Sequence, residues 1–149
     1  MDASRYRSLS IGSAALLAGC VLFQPARLEP DAQTSVVRSA PWGKVYRGGY
    51  VQVVNVNGIE PSFSNKREIA VPPGKQRGVL WVSLCEGDSY KRCYAVKTAH
   101  VNFRTEPGRS YLARAQEKVH GSNEFWVWVE EQDTRAVVGG ERPPGPQGN

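Results

Sequence analysis

The middle of the chain, about residues 44–138, carries the hydrophobic pattern of short β-strands. Apolar residues alternate with polar ones or form short continuous runs, and no stretch has the helical period. Turn-forming residues separate the runs, as at Pro72-Pro73-Gly74 and Pro107-Gly108. The predicted strands cover residues 50–56, 67–71, 79–85, 93–104, 111–115, 125–129 and 136–138. The pattern predicts an all-β fold, a single antiparallel β-sandwich or small barrel of about seven strands.

Three local features refine the predicted strand arrangement. Asn57-Gly58 directly follows the first run and is a dipeptide that fits a type I′ hairpin turn. Residues 79–85 are apolar on both faces, which is typical of a central strand. Arg135 stands in the last turn where a glycine would fit better, so the type of that hairpin stays open.

The two ends of the chain lack any strand pattern. Residues 20–43 contain three prolines among scattered polar residues, which predicts a flexible tether. Residues 139–149 are rich in glycine and proline, which predicts a disordered tail. The sequence therefore divides into a leader over 1–19, a tether over 20–43, a β-domain over 44–138 and the tail.

The leader has the organisation of a secretory signal peptide. Arg5 and Arg7 precede an apolar stretch that is too short to span a bilayer of about 30 Å. The stretch ends in Leu17-Ala18-Gly19-Cys20, which resembles the bacterial lipobox. This resemblance implies cleavage before Cys20, a diacylglycerol on its thiol and an acyl chain such as palmitate on its new amine. The alternative is an ordinary signal peptide with an unrelated cysteine. Apart from the lipid on Cys20, no cofactor is predicted.

The lipobox-like motif implies a cellular location and a membrane as binding partner. Several acyl chains hold a protein firmly on a membrane, whereas one chain is marginal. Val21 rather than an aspartate follows Cys20. By resemblance to lipoprotein sorting in Gram-negative bacteria, the implied location is the outer membrane, facing the periplasm.

Composition and charge fit one soluble domain on that anchor. The chain has 149 residues, of which 40% are hydrophobic and 22% charged, close to ordinary globular usage. Loss of Asp2, Arg5 and Arg7 with the leader lowers the formal charge from +5 to +4. This positive excess either belongs to an ordinary solvated surface or attracts the protein to anionic lipid or polysaccharide. Nucleic acid is not an expected partner in the periplasm.

The two remaining cysteines flank a polar turn, residues 86–92. In an oxidising compartment, Cys85 and Cys93 are expected to form a disulfide across a hairpin. Closing this short loop would contribute about 2.5 kcal/mol. The alternatives are a redox pair, which usually needs Cys-x-x-Cys, and two metal ligands.

Candidate catalytic and metal residues are few. His100 and His120 are the only histidines, and no carboxylate stands at ligand spacing after His100, so both are interpreted as solvent-facing or edge residues. Residues 87–90 resemble the nucleophile block of GDSL-type hydrolases. That family places the block after its first strand and has a late Asp-x-x-His pair, and neither is present here. No catalytic residue and no metal site are predicted, and the protein is not expected to be an enzyme.

Trp126 and Trp128 lie two residues apart and therefore on one face of their strand. Such a pair could form an exposed recognition surface for a glycan, a peptide or a membrane interface. The alternative is that both rings are buried in the core or under the tether.

The β-domain resembles small bacterial lipoproteins with β-sandwich domains. The resemblance rests on Val56-Asn57-Gly58, on the Pro-Gly-basic turns at 73–75 and 107–109, and on the closing stretch 128–139. The Pro-Gly-Lys turn is also similar to PEGA-type repeats and transthyretin-like modules. These groups are not defined by an active site, so the resemblance implies a β-sandwich and no catalytic residues.

Two functions follow as hypotheses. In the first, the protein is a non-enzymatic binding or structural module of the cell envelope, with an envelope protein, peptidoglycan or lipopolysaccharide as partner. In the second, it is an inhibitor or accessory subunit of a periplasmic hydrolase, presenting the loop at 86–92 or 117–124.

Overall fold

The computed structural model describes residues 27–40, 50–63, 65, 67–85, 93–119 and 122–145. The predicted leader, the lipobox cysteine Cys20, residues 86–92 and His120 lie outside the described residues. Among the described residues, no helix has the length and hydropathy needed to cross a membrane.

The fold is all-β, as predicted. The eight strands are β1 (Ser35–Ser39), β2 (Tyr50–Val56), β3 (Glu68–Val71), β4 (Gly74–Cys85), β5 (Cys93–Thr105), β6 (Ser110–Glu117), β7 (Phe125–Glu131) and β8 (Val137–Gly140). Each of the seven runs identified in the sequence corresponds to one of the strands β2 to β8.

The strands form one sheet that curls into a nearly closed barrel, in the order β2-β4-β5-β8-β7-β6-β1-β3. Strand β3 lies at one edge, yet only residues 72–73 connect it to β4, beside the other edge. Such a short connection brings the two edges together. The backbone N–H of Val53 in β2 donates to the Ser39 hydroxyl of β1, at 2.9 Å, across the same gap.

Strand β1 was not predicted, and it lies inside the segment expected to be a tether. All five of its residues are buried between β3, which runs antiparallel to it, and β6, which runs parallel. The sheet is therefore mixed at this one pair rather than wholly antiparallel. The ordered domain includes residues that the sequence pattern assigned to the tether.

The core fills the interior of the barrel with side chains from most of its strands. Its buried members include Val37 of β1, Val53 of β2, Leu80 of β4, Phe103 of β5 and Val129 of β7. Burial of each such side chain stabilises the fold by about 1.5–3 kcal/mol relative to its exposure. Because successive residues of a strand point to opposite faces, the neighbours of these residues lie on the outer surface.

The predicted turn at Asn57-Gly58 is confirmed. Asn57 has φ 50° and Gly58 has φ 80°, and the backbones of Val56 and Ile59 exchange two hydrogen bonds of 2.9 Å. Two positive φ angles in a two-residue loop are the geometry of a type I′ turn.

The predicted tail begins later than the sequence indicated, since Gly139 and Gly140 belong to β8. A Cβ atom at Gly140 would lie 2.3 Å from the carbonyl oxygen of Val127 and 2.8 Å from the Cα of Trp128. The glycine run that resembles a disordered segment thus permits close packing of β8 against β7.

Candidate ligand-binding face

The outer surface of β4 and β5 carries an exposed tryptophan and a group of cations. We call this surface the basic face and define it by Lys75, Arg77, Trp81, His100 and Arg104. The inward neighbours on β4, such as Leu80 and Val82, are buried in the core, so alternation directs these side chains outward. All five are exposed.

Trp81 explains why the run 79–85 is apolar on both faces. As predicted for a central strand, β4 has a neighbour on each side, β2 and β5. Its outer face is nevertheless partly open, because the Trp81 side chain remains 47% exposed. No described element packs over it, so an apolar ring faces solvent on a paired strand.

Polar residues flank Trp81 in the sheet. Gln52 of β2 and Thr98 of β5 lie directly opposite Trp81 on either side. Residues directly opposite in neighbouring strands have Cβ atoms about 5 Å apart. An amide and a hydroxyl thus stand beside the indole ring, where both can donate or accept hydrogen bonds.

The cations lie toward the other end of the same face. Lys75 is opposite Arg104, and Arg77 is opposite Asn102. Lys75 and Trp81 are six residues apart on one strand, which corresponds to about 20 Å. The basic face is therefore an elongated surface, with the cations at one end and the aromatic ring at the other.

The strands that carry this face contain no acidic residue. β2, β4 and β5 together hold Lys75, Arg77, Lys97 and Arg104, but neither Asp nor Glu. Within the described part of the chain, none of these four side chains forms an ion pair. The positive charges on these strands thus have no ion-pair partner among the described residues.

On the other half of the barrel, several arginines are paired with buried or half-buried carboxylates. Glu130 of β7, 1% exposed, accepts a hydrogen bond on Oε1 from Arg114 Nε at 2.6 Å, and the same oxygen forms an ion pair with Arg135 Nε at 2.9 Å. Arg135 has φ 62°, so the position that seemed to require a glycine is indeed left-handed. Its ion pair offers one compensation for that backbone strain.

A second ion pair holds the N-terminal segment against the sheet. Arg38 of β1 donates from Nε to Glu68 Oε1 at 3.0 Å and from Nη2 to the carbonyl of Leu28. The Leu28 N–H in turn donates to Glu68 Oε2 at 2.7 Å. Burial is the largest influence on the pKa of Glu68 and raises it. The hydrogen bonds from Leu28, Arg38 and Asn65 together outweigh burial, so that the pKa lies below its ordinary value.

The tryptophan pair on β7 does not form the exposed surface considered from the sequence. Trp128 is only 7% exposed, and its Nε1 donates to Glu130 Oε2 at 2.9 Å. Trp126 is half-buried, with the ammonium of Lys118 4.5 Å from the centre of its ring. Trp128 lies outside the main core, on the outer side of β7. There its N–H is bonded to Glu130 of the charged cluster and not to water.

The remaining candidate residues do not form a reactive centre in the described structure. The backbone register places Cys85 opposite Cys93, a position compatible with the disulfide, which stays a prediction. His100 is exposed, which confirms the solvent-facing interpretation of that residue. Within the described ranges, no three His, Cys, Asp or Glu side chains come together as ligands for a metal.

Comparisons of the chain with protein families, with curated proteins and with solved structures found no match. Sequence analysis missed the basic face, although two signals for it were present. One was an apolar residue on the second face of 79–85, and the other was the absence of acidic residues from three whole strands.

Proposed function

We propose that the protein is a lipid-anchored lipoprotein of the bacterial envelope, and that its barrel is a non-enzymatic binding module. The anchor rests on the lipobox-like Leu17-Ala18-Gly19-Cys20 at the end of a signal-like segment. The proposed location is the outer membrane, with the barrel in the periplasm.

The single observation that supports a binding role is the basic face. On this face a partly exposed indole stands with cations that have no carboxylate partner among the described residues, and a ligand with an apolar surface and negative charges would complement both. The face stands on two strands that pair along nearly their whole length, from Gly74-Thr105 to Cys85-Cys93. Such a scaffold holds the side chains in fixed positions, which reduces the entropy lost on binding.

The position of the face relative to the anchor is consistent with this role. The N-terminal segment is attached to β1 and β3 through Leu28. In a nearly closed barrel of eight strands, β1 is four positions from β5 in the sheet order, and it is three from β4 where the two edges meet. The seven-residue span from Cys20 to Arg27 reaches at most about 25 Å. The barrel is therefore held near the membrane through strands that are not adjacent to those of the basic face.

The anchor is tested by the intact mass and the membrane fraction of the protein expressed in a Gram-negative host. We expect a mature chain that begins at Cys20 with added acyl mass, and release of the Cys20→Ala variant from membranes. The Cys85→Ala/Cys93→Ala variant is the matched control, because it removes two other thiols and should remain lipidated. A mature chain without acyl mass, or Cys20→Ala still firmly on membranes, would contradict the proposal.

The binding role is tested by photo-crosslinking in living cells. A photoreactive residue replaces Thr98 on the basic face or, as the control, the exposed Thr134 on the β7–β8 turn. We expect an envelope component to be captured from position 98 and not from position 134. Equal capture from both positions, or none above an unanchored Cys20→Ala protein, would count against a binding module that uses this face.

A further inference from the structure

We infer that the basic face binds an acidic polysaccharide, with Trp81 stacked on a sugar ring and Lys75, Arg77 and Arg104 on its negative charges. This inference rests on the proposed binding function and adds the ligand class and the residues that recognise it.

The charge of the face favours an anionic ligand. Lys75, Arg77 and Arg104 converge at one end of the β4–β5 pair, and the structure provides no carboxylate partner for them among the described residues. Three like charges on adjacent strands repel one another, whereas anions placed between them turn this repulsion into attraction. The face is therefore complementary to a ligand with repeated negative charges.

The opposite end of the face favours a sugar over other anionic ligands. An indole ring offers a flat apolar surface, and the Gln52 amide and the Thr98 hydroxyl stand beside it in register. A sugar ring presents C–H groups on its faces and hydroxyls at its edge, so it can contact the indole and both polar side chains at once.

The dimensions favour a polymer over a single charged group. The distance along β4 from Lys75 to Trp81 is about 20 Å. A small anion could occupy only the cationic end, while an extended chain with several units could follow the strand and occupy both ends. The barrel surface between them is formed by Val79, His100 and Asn102, and no described element crosses it.

An anionic membrane fits the face less well. Binding to a bilayer surface uses several exposed apolar side chains that enter the headgroup region together. Among the described residues, Trp81 is the one large hydrophobic side chain exposed on this face, and the others are Ile59, Phe63, Val119 and Val137. These four lie outside β4 and β5. The N-terminal attachment is also on β1 and β3, neither of which is adjacent to β4 or β5 in the sheet order.

The test measures binding of the purified full-length protein, in mild detergent, to polygalacturonate by isothermal titration calorimetry. Fully methyl-esterified polygalacturonate is the matched ligand, because its chain is the same and its carboxylates are neutral. We expect binding to the acid form that weakens with added salt, and at least tenfold weaker binding to the ester.

Two sets of variants locate the binding on the face. Trp81→Ala should weaken binding about tenfold, since tryptophan is among the residues whose truncation at a binding surface costs most. Trp81→Phe keeps a stacking ring and should retain most of the affinity. Phe63→Ala removes an exposed aromatic residue elsewhere and should change nothing.

For the charges, Lys75→Ala/Arg77→Ala/Arg104→Ala should abolish binding. The control Arg27→Ala/Lys118→Ala/Arg142→Ala removes the same number of exposed cations from other surfaces and should bind normally. Equal losses in both triple variants would show an effect of net charge alone and would overturn the inference. Unchanged binding by Trp81→Ala and Trp81→Phe would overturn it as well.

Two further ligands separate the alternatives. Vesicles that contain phosphatidylglycerol test a membrane, and a single-stranded oligonucleotide tests nucleic acid. Tighter binding to either than to polygalacturonate, or no binding to the polysaccharide, would overturn the inference. The acyl mass on Cys20 and the crosslink from position 98 are measured independently of this titration. If the acyl mass and the crosslink are found but polygalacturonate does not bind, the inferred ligand class is wrong and the proposed binding function is retained.

Discussion

Replacement of Glu130 tests the charged cluster that organises the paired half of the barrel. Its carboxylate is 1% exposed, accepts hydrogen bonds from Arg114 and the indole of Trp128, and forms an ion pair with Arg135. Glu130→Ala removes them all and leaves the buried Trp128 N–H without its acceptor. A hydrogen bond to a charged group contributes about 1.5–3 kcal/mol, and a buried unsatisfied donor costs about 1–3 kcal/mol.

Solvent reduces the sum of these contributions. The side chains of Arg114 and Arg135 are 27% and 50% exposed, so both can turn to water when the carboxylate is lost. We therefore expect Glu130→Ala to lower the free energy of unfolding by about 3 kcal/mol. Glu130→Gln keeps an acceptor of the same size and should cost about half as much. A loss of 3 kcal/mol corresponds to a decrease in Tm of about 12 °C for a domain of this length.

The assay is urea unfolding followed by tryptophan fluorescence, with the free energy extrapolated to water. The control is Glu29→Ala, whose partner Arg27 lies 3.8 Å away in an exposed pair and which should not change the midpoint. A double-mutant cycle with Arg114→Ala isolates the pair from the Trp128 contact. If Glu130→Ala destabilises the protein no more than Glu29→Ala does, the cluster does not support the fold as argued.

Three further predictions concern other parts of the barrel. Because the pKa of Glu68 is held below its ordinary value of 4.5, its ionised form stabilises the fold above that pH. The stability is lost as the pH falls through the lower, folded-state pKa, and Glu68→Gln should flatten this part of a curve of urea midpoint against pH. Gly140→Ala should cost about 2–4 kcal/mol in the same unfolding assay, and Gly145→Ala, which has open space around it, should cost nothing. Reduction of a Cys85–Cys93 disulfide should lower the free energy of unfolding by about 2.5 kcal/mol, and a thiol titration that finds both cysteines free would refute the pairing.

The strands that could be predicted from the sequence are those whose hydrophobic pattern is local. Tyr50–Val56 agrees at both ends with its predicted bounds, and Phe125–Glu131 begins at the predicted residue. Both are rich in β-branched and aromatic residues and are followed by turn-forming residues. The Asn57-Gly58 turn was predictable for the same reason, since its geometry depends on two residues and not on the rest of the chain.

Strand β1 could not be predicted because its burial depends on distant partners. Three of its five residues are Ser35, Arg38 and Ser39, which a pattern of hydrophobicity assigns to solvent. In the structure, Ser35 donates to the Glu106 carbonyl at 2.7 Å and Ser39 accepts from Val53. Buried polar groups of this kind are stable only when their hydrogen bonds are made, and those bonds join residues far apart in the sequence.

The basic face could not be predicted because its exposure also depends on distant parts of the chain. A single strand pattern cannot distinguish an outer face that another element covers from one that remains open. For the paired half of the barrel, the segment around Leu28 and the cluster at Glu130 provide cover. For β4 and β5, no described element does so, and the apolar Trp81 and the cations remain exposed together. The charge of the domain is thus segregated: carboxylates compensate Arg38 and Arg114 on one side, and the other side keeps its excess. A surface that only has to stay solvated does not need this separation, whereas the proposed binding of an anionic polymer would use it.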